Sequence, residues 1–187
     1  MSVVRKLDKL ATTRNLILAI VSSAVIVAVM GYATQTLVYD VYGDVTMPDT
    51  RVVYTFEEIA QVFDTLGSDG LRIWSQVHLL DLLFPIAYCL SIVFGITMEV
   101  RRAYPDKPEL KGLIALPIMA AAADFLENAL IASQIAAYPG LSPSIILAAS
   151  LITTVKWALI LLSFGVVFGL LLVIPSRSKR TNSAVKQ

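Results

Sequence analysis

Ionisable side chains interrupt the apolar stretches of this chain, and some of them have helical spacing. Asp124, Glu127 and Asn128 follow one another at i, i+3 and i+4, so a helix presents them on one face. Lys156 lies in the next apolar stretch, three residues after Thr153. Carboxyls beside an ammonium in apolar surroundings can transfer protons, bind a cation or join helices. This pattern predicts a polar site inside a mostly apolar protein.

A second polar stripe precedes these residues. Trp74, His78, Asp81, Pro85 and Tyr88 are separated by four, three, four and three residues, which places them along one side of a helix. A stripe that mixes rings, an imidazole, a carboxyl and a phenol is expected to face protein or water. Proline lacks the N–H that would bond to the carbonyl four residues earlier, so a kink is expected beside Asp81.

The buried charges are predicted to share one layer. Counting from the ends of the apolar stretches places Asp81, Asp124, Glu127 and Lys156 at similar depth. Three acids and one ammonium do not balance, so at least one carboxyl is expected to carry a proton unless water or a cation enters. Inserting each charge costs about 2.5–3.5 kcal/mol, which favours a functional pocket over contacts that merely join helices. The candidate ligand-binding residues are Trp74, His78, Asp81, Tyr88, Asp124, Glu127, Asn128, Thr153, Lys156 and Trp157.

The composition excludes several classes of protein. Hydrophobic residues make up 57% of the 187 residues and charged residues only 16%, and the mean hydropathy is +0.74. A soluble domain carries about 25% charged residues. A net charge of +1 excludes a nucleic-acid binder of the usual basic kind. With one cysteine, Cys89, and one histidine, the chain is expected to form no intrachain disulfide, no Cys-based or His-rich metal site, and to hold no cofactor. A hard cation on Asp81, Asp124 and Glu127 is conceivable, but their spacing matches no recognised metal site, so no metal is expected.

Four apolar stretches are each long enough to cross a bilayer as a helix, which needs about 20 residues. They are residues 15–38, 71–100, 113–138 and 144–174. The sequence therefore predicts an all-α protein with one membrane domain over residues 1–187, folded as an up-down four-helix transmembrane bundle. A cleaved signal peptide ending near Ala33 is the alternative for the first stretch, but its apolar run of about 18 residues exceeds the usual 7–15.

The charges between the stretches predict the orientation. Basic residues concentrate in the N-terminal segment, the loop 101–111 and the C-terminal tail, whereas the loop 39–70 is acidic. Basic segments stay in the cytoplasm, so both termini are expected inside and the loop 39–70 outside. The expected location is the plasma membrane of a bacterium or an archaeon, as a multi-pass protein.

The predicted outer loop is long enough to contain structure. Thr55 and Glu58 have the spacing of a capping box, and apolar residues follow on one helical face as far as Gly67. We favour the interpretation that this amphipathic helix covers the ends of the spans or lies in the lipid interface. The alternative is that it forms a lid over a cavity. The preceding residues 39–54 are expected to form a hairpin or an extended segment.

Small and aromatic residues suggest further packing. Gly165 and Gly169 are four residues apart, which permits close helix contact. We favour packing of this pair within the bundle over a dimer contact. Trp74 and Tyr138 are expected in the outer aromatic belt.

Several motifs together resemble a known group of proteins. They are Leu66-Gly-Ser-Asp-Gly-Leu-Arg-Ile-Trp74, Leu80-Asp-Leu-Leu-Phe-Pro-Ile-Ala-Tyr88, Asp124-Phe-Leu-Glu-Asn128 and Thr154-Val-Lys-Trp157. These segments resemble small four-span bacterial membrane proteins. The resemblance implies a four-span fold and no particular chemistry. The layout is also similar to that of the sterol-isomerase and sigma-2-receptor superfamily, but no motif matches residue by residue.

Three functions are compatible with these features. The first is binding or transport of a cationic or amphiphilic small molecule or lipid, which the excess of acids supports. The second is an intramembrane enzyme that modifies a lipid, with Asp124 or Glu127 as general acid or base. The third is a structural or assembly subunit. Membrane lipid is the expected partner in each case, together with a homo-oligomer if the protein transports.

Overall fold

The computed structural model describes the backbone of residues 3–43 and 45–184 and the side chains of residues 6–43, 45–48 and 50–172. The basic side chains predicted to mark the C-terminal tail, Arg177, Lys179, Arg180 and Lys186, lie outside the described side chains. The same is true of Arg5 in the N-terminal segment and of Asp44 and Asp49 in the acidic loop.

The described backbone contains seven α-helices and no strand. They are α1 (Val3–Leu10), α2 (Thr13–Thr34), α3 (Asp40–Tyr42), α4 (Phe56–Asp81), α5 (Phe84–Ala103), α6 (Ala115–Ala137) and α7 (Pro143–Ala184). A π-helical segment, Gln35–Tyr39, continues α2 into α3, and 3-10 helices occupy Pro48–Thr50 and Pro108–Ile114. The expected hairpin is therefore absent from the described part of residues 39–54.

Four helical segments are long and apolar enough to cross a membrane, as a polytopic membrane protein requires. They are Thr13–Tyr42, Phe56–Ala103, Pro108–Ala137 and Pro143–Leu172. The predicted all-α class is thus confirmed, as is the presence of four helical segments that are long and apolar enough to span a membrane.

The second span is interrupted by a kink between α4 and α5. α4 ends at Asp81 and α5 begins at Phe84 with Pro85 in its first turn. The Leu82 and Leu83 N–H groups bond three residues back instead of four, at 3.4 and 3.1 Å. The kink predicted from the proline is confirmed, and it places the Asp81 side chain at the end of a helix.

Helices α5, α6 and α7 pack against one another, and α2 packs mainly on α5. The polar contacts between α6 and α7 pair residue 124 with 156 and residue 127 with 153, so the two helices run antiparallel. α2 meets α5 at Ser23 and Ser91, whose hydroxyl oxygens are 3.3 Å apart. Only 6% of the most apolar 18-residue stretch of the first span is buried, so α2 lies at the edge of the bundle.

The first half of α4 folds back on the bundle. The Thr55 hydroxyl accepts the Glu58 N–H at 3.3 Å, and Glu58 accepts the Thr55 N–H at 2.8 Å, which confirms the predicted capping box. Gly67 has a φ of 59° and produces a kink, so that residues 56–66 turn away from the rest of the helix. This segment places its apolar face, including the fully buried Phe63, against the spanning helices.

The expectation that Trp74 lies in the aromatic belt is wrong. Trp74 is 4% exposed, and its ring meets the edge of Phe63 with the ring centres 5.7 Å apart. The folded-back half of α4 covers the indole, which therefore packs inside protein. The prediction rested on the enrichment of tryptophan at membrane interfaces. That enrichment says nothing about a helix segment that folds back and covers the end of its own span.

The expectation that Gly165 and Gly169 pack within the bundle is also wrong. Both glycines are exposed, and a Cβ atom added to either would meet nothing within 4 Å. α7 directs Ser163 and Leu170 inward instead, which turns the glycine face outward.

The orientation remains a prediction, and reporter fusions test it. Fusions after Lys111 and at the C-terminus are expected to read as cytoplasmic, and fusions near Asp49 and Gly140 as external, because basic loops stay inside. Each fusion needs a matched expression control. A reproducibly external C-terminus would contradict the predicted topology.

Candidate functional site

A buried ion pair joins α6 and α7. The Lys156 Nζ lies 2.5 Å from the Glu127 Oε2 and 3.4 Å from the Asp124 Oδ1. All three side chains are at most about 5% exposed. The two helices are antiparallel, so positions that rise along α6 lie opposite positions that fall along α7. This arrangement brings the three residues together. The predicted pairing of Lys156 with an acid of α6 is confirmed.

Glu127 is held from its other side by hydroxyl groups. The Thr153 hydroxyl donates to the Glu127 Oε1 at 2.6 Å. The hydroxyl oxygen of Tyr54 lies 3.3 Å from that of Thr153. Glu127 is therefore fully buried between an ammonium and a hydroxyl. No sequence pattern predicts Tyr54 as a member of this network, which it reaches from the segment before α4.

Asp81 belongs to a second branch of the polar network. The Asn128 side-chain amide donates to the Asp81 Oδ2 at 2.9 Å. The His78 Nε2 lies 3.2 Å from the backbone carbonyl oxygen of Asn128, which can only accept, so this nitrogen carries the proton of that bond. His78 is buried, and its ring also meets the edge of Trp74, with the ring centres 5.9 Å apart. This side chain thus fixes α4 against α6.

The chain that connects the 3-10 helix Pro48–Thr50 to α4 runs along α7 beside these charges. We call residues 50–54 the strap segment. Three α7 side chains bond to its backbone: Ser150 accepts from the Tyr54 N–H at 3.0 Å, Thr154 donates to the Val52 oxygen at 2.9 Å, and Trp157 donates to the Arg51 oxygen at 3.0 Å. Irregular backbone is tolerated at membrane depth only where such partners satisfy it.

A cavity of about 430 Å³ opens beside the network. Asp81, Asp124 and Lys156 form its polar floor. Apolar residues form its walls, from α2 on one side and from α7 on the other. The lining residues are Val27, Met30, Gly31, Thr50, Asp81, Phe84, Asp124, Lys156, Trp157 and Ile160. Val27 and Gly31 are exposed, so the cavity is accessible from the side of the bundle, between α2 and α7.

The sequence-predicted site residues divide into groups. Asp81, Asp124, Lys156 and Trp157 line the cavity, whereas Glu127, Asn128 and Thr153 support them from behind. Tyr88 is buried, and its phenol interacts with the nearby carboxyl of Asp124. Trp74 and His78 contribute to the network but do not line the cavity.

Some cavity residues carry no recognisable sequence signal. The α2 residues are plain apolar positions, and Thr50 ends a short 3-10 helix. Ser150, Thr154 and Trp157 share one side of α7, and this recurrence of polar groups is the signal that could have predicted a polar partner outside the helix. The chain matches no protein-family model, no curated protein and no solved structure.

Proposed function

We propose that the protein binds a cationic amphiphile or lipid that enters its cavity from the bilayer. The observation that carries the proposal is the cavity itself, which has charged groups on its floor and apolar walls. Its volume of about 430 Å³ is within the range of small-molecule sites. The cationic headgroup would contact the acids, and the tail would follow Val27, Phe84 and Ile160.

The charge balance of the floor favours a cation. Two carboxyls, Asp81 and Asp124, face the cavity together with Lys156. Lys156 lies closer to Glu127 than to Asp124, and Glu127 is on the side away from the cavity. The ammonium is therefore neutralised mainly from behind, and the acids at the cavity surface remain in excess. In apolar surroundings this excess attracts a cation more strongly than it does in water.

The position of the opening favours entry from lipid. The walls on both sides of the opening belong to spanning helices, and the strap segment covers one end with Thr50. A water-soluble ion would have to cross these apolar walls, whereas an amphiphile already present in the bilayer would not.

The contact of Lys156 with two carboxyls supports one alternative, general acid–base catalysis on a bound lipid. In that case a bound amphiphile would be converted during incubation with purified protein. Mass spectrometry of the extracted ligand before and after incubation distinguishes catalysis from binding.

Ligand-induced thermal shifts of detergent-solubilised protein test the proposed preference. Decylammonium, decanol and decyl sulfate are compared at one concentration below their micellar limits. Only decylammonium is expected to raise the melting temperature, and a concentration of about 100 times Kd corresponds to about 2.7 kcal/mol of stabilisation. Asp124→Asn keeps the shape of the side chain and is expected to weaken binding about 10–100-fold, since a hydrogen bond to a charged group contributes about 1.5–3 kcal/mol.

Asp69→Asn is the matched control, because it removes the same charge from an exposed position of α4 outside the cavity. Its binding should equal that of the unmodified protein. Equal stabilisation by decanol, stronger stabilisation by decyl sulfate, or unchanged binding by Asp124→Asn would each contradict the proposal.

A further inference from the structure

A second cavity, of about 350 Å³, lies between the segment after α3 and the first half of α4. Its lining is more polar than apolar, and the buried Val45 and Val62 contribute to the apolar part. Its rim is polar and combines the guanidinium of Arg51 with the carboxyl of Glu58 and the side-chain amide of Gln61. These groups come from two segments that the fold brings together, and none of them takes part in the ion pair of Lys156.

The charged pair on the rim is held in place. The Arg51 Nη1 lies 2.7 Å from the Glu58 Oε1. The other oxygen of Glu58 accepts the N–H of Thr55 in the capping box, and the Arg51 carbonyl is bonded to Trp157. Both ends of the pair are thus fixed by the backbone. A guanidinium has five N–H donors, so the contact with Glu58 leaves donors for a second anionic group.

We propose that this second cavity binds a zwitterion that carries a phosphate and an amine two carbons apart. The phosphate would take the remaining donors of Arg51, and the amine would contact the carboxyl of Glu58. The two methylene groups between them would lie on Val45 and Val62. A guanidinium suits phosphate because its planar fork donates two parallel hydrogen bonds.

The surrounding charge favours a zwitterion over a simple anion. Residues 40–69 contain seven acidic side chains, and Arg51 is their one basic side chain. A free anion would be repelled by this excess, whereas a molecule with no net charge would not. The amine also gains from it. Glu58 is the more exposed member of the pair, with 45% of its side chain exposed against 25% for Arg51, so salt is expected to weaken its contact with the amine.

The same chemistry can come from a lipid headgroup or from a soluble phosphoethanolamine compound. The first arm of the experiment titrates glycerophosphoethanolamine, and glycerol phosphate for comparison, into detergent-solubilised protein by calorimetry. The second arm reconstitutes the protein in nanodiscs with equal amounts of phosphatidylethanolamine and phosphatidylglycerol and identifies retained lipid by native mass spectrometry. Binding in the first arm alone indicates a soluble ligand, and selective retention of phosphatidylethanolamine indicates a lipid.

Two variants separate a bound zwitterion from a general effect on folding. Arg51→Gln is expected to weaken binding at least about tenfold in the arm that shows it, because the phosphate loses a charged partner. Glu58→Gln keeps a capping box, since glutamine also serves at this position. It should reduce the preference for the amine-bearing ligand about tenfold while leaving the phosphate contact in place. Glu57→Gln, on the neighbouring exposed residue outside the cavity, should change neither value.

This inference is independent of the proposed function of the first cavity. Asp124→Asn should leave the binding of the zwitterion unchanged, so the failure of one proposal is distinguishable from the failure of the other. Absence of binding in both arms would overturn the inference. Equal affinity for glycerol phosphate in the unmodified protein, or unchanged binding by Arg51→Gln, would also overturn it.

Discussion

Replacement of Lys156 by methionine is expected to lower the free energy of unfolding by about 3–5 kcal/mol, the cost of breaking a buried ion pair from one side. The change removes the ammonium 2.5 Å from Glu127 and 3.4 Å from Asp124. Methionine fills a similar volume, so the loss is electrostatic rather than a loss of packing. The remaining carboxyls must then take up a proton or admit water.

The double variant Lys156→Met with Glu127→Gln isolates the electrostatic cause. Glutamine keeps an acceptor for the Thr153 hydroxyl, which lies 2.6 Å from the Glu127 Oε1, and it carries no charge. The double variant is therefore expected to recover a large part of the lost stability, because replacing both members of a buried pair with neutral groups is often nearly neutral. Equilibrium unfolding of the protein in mixed micelles measures all three free energies.

Lys111→Met provides the matched control. Lys111 pairs with Asp8 at 2.6 Å, but both side chains are about a quarter exposed. Water screens such a pair, so its removal should cost no more than about 1 kcal/mol. A cost for Lys156→Met as small as that for Lys111→Met would show that the buried pair does not stabilise the bundle.

The sequence allowed the centre of the site to be predicted because helical periodicity governs it. Asp124 and Glu127 lie one turn apart, and a short connection forces α7 to return along α6. Under these two constraints, the position of a residue along α6 determines which residue of α7 lies opposite it. The contact of Lys156 with α6 therefore followed from residue counting alone.

The contributions from the segment between α3 and α4 could not be predicted in this way. Tyr54 reaches Glu127 through Thr153, and Thr50 lines the cavity, yet neither position has a period that fixes its register. The return of α4 at Gly67 depends on a single left-handed residue. The sequence showed where the amphipathic helix begins and which face is apolar, but not which surface that face would cover.

Phe63 decides whether this covering helix stays docked, and Phe63→Ala is expected to cost about 3–5 kcal/mol of unfolding free energy. Phe63 is 0% exposed, and its ring centre lies 5.7 Å from that of Trp74 and 6.2 Å from that of Tyr138. Alanine leaves a cavity between these two rings, and no large apolar side chain can move in without leaving its own contacts. The loss weakens the attachment of the first half of α4, with the capping residue Thr55 and the strap segment before it.

Phe168→Ala is the control for this substitution. Phe168 is 61% exposed on α7, so the same truncation there removes few protein contacts and should change stability by no more than about 0.5 kcal/mol. Equilibrium unfolding gives both values, and limited proteolysis between residues 45 and 66 reports detachment of the helix. If Phe63→Ala costs no more than Phe168→Ala and leaves the protease pattern unchanged, the contacts of Phe63 with Trp74 and Tyr138 do not hold the first half of α4 on the bundle. In that case the strap segment is positioned chiefly by its hydrogen bonds to α7 and by the burial of Tyr54.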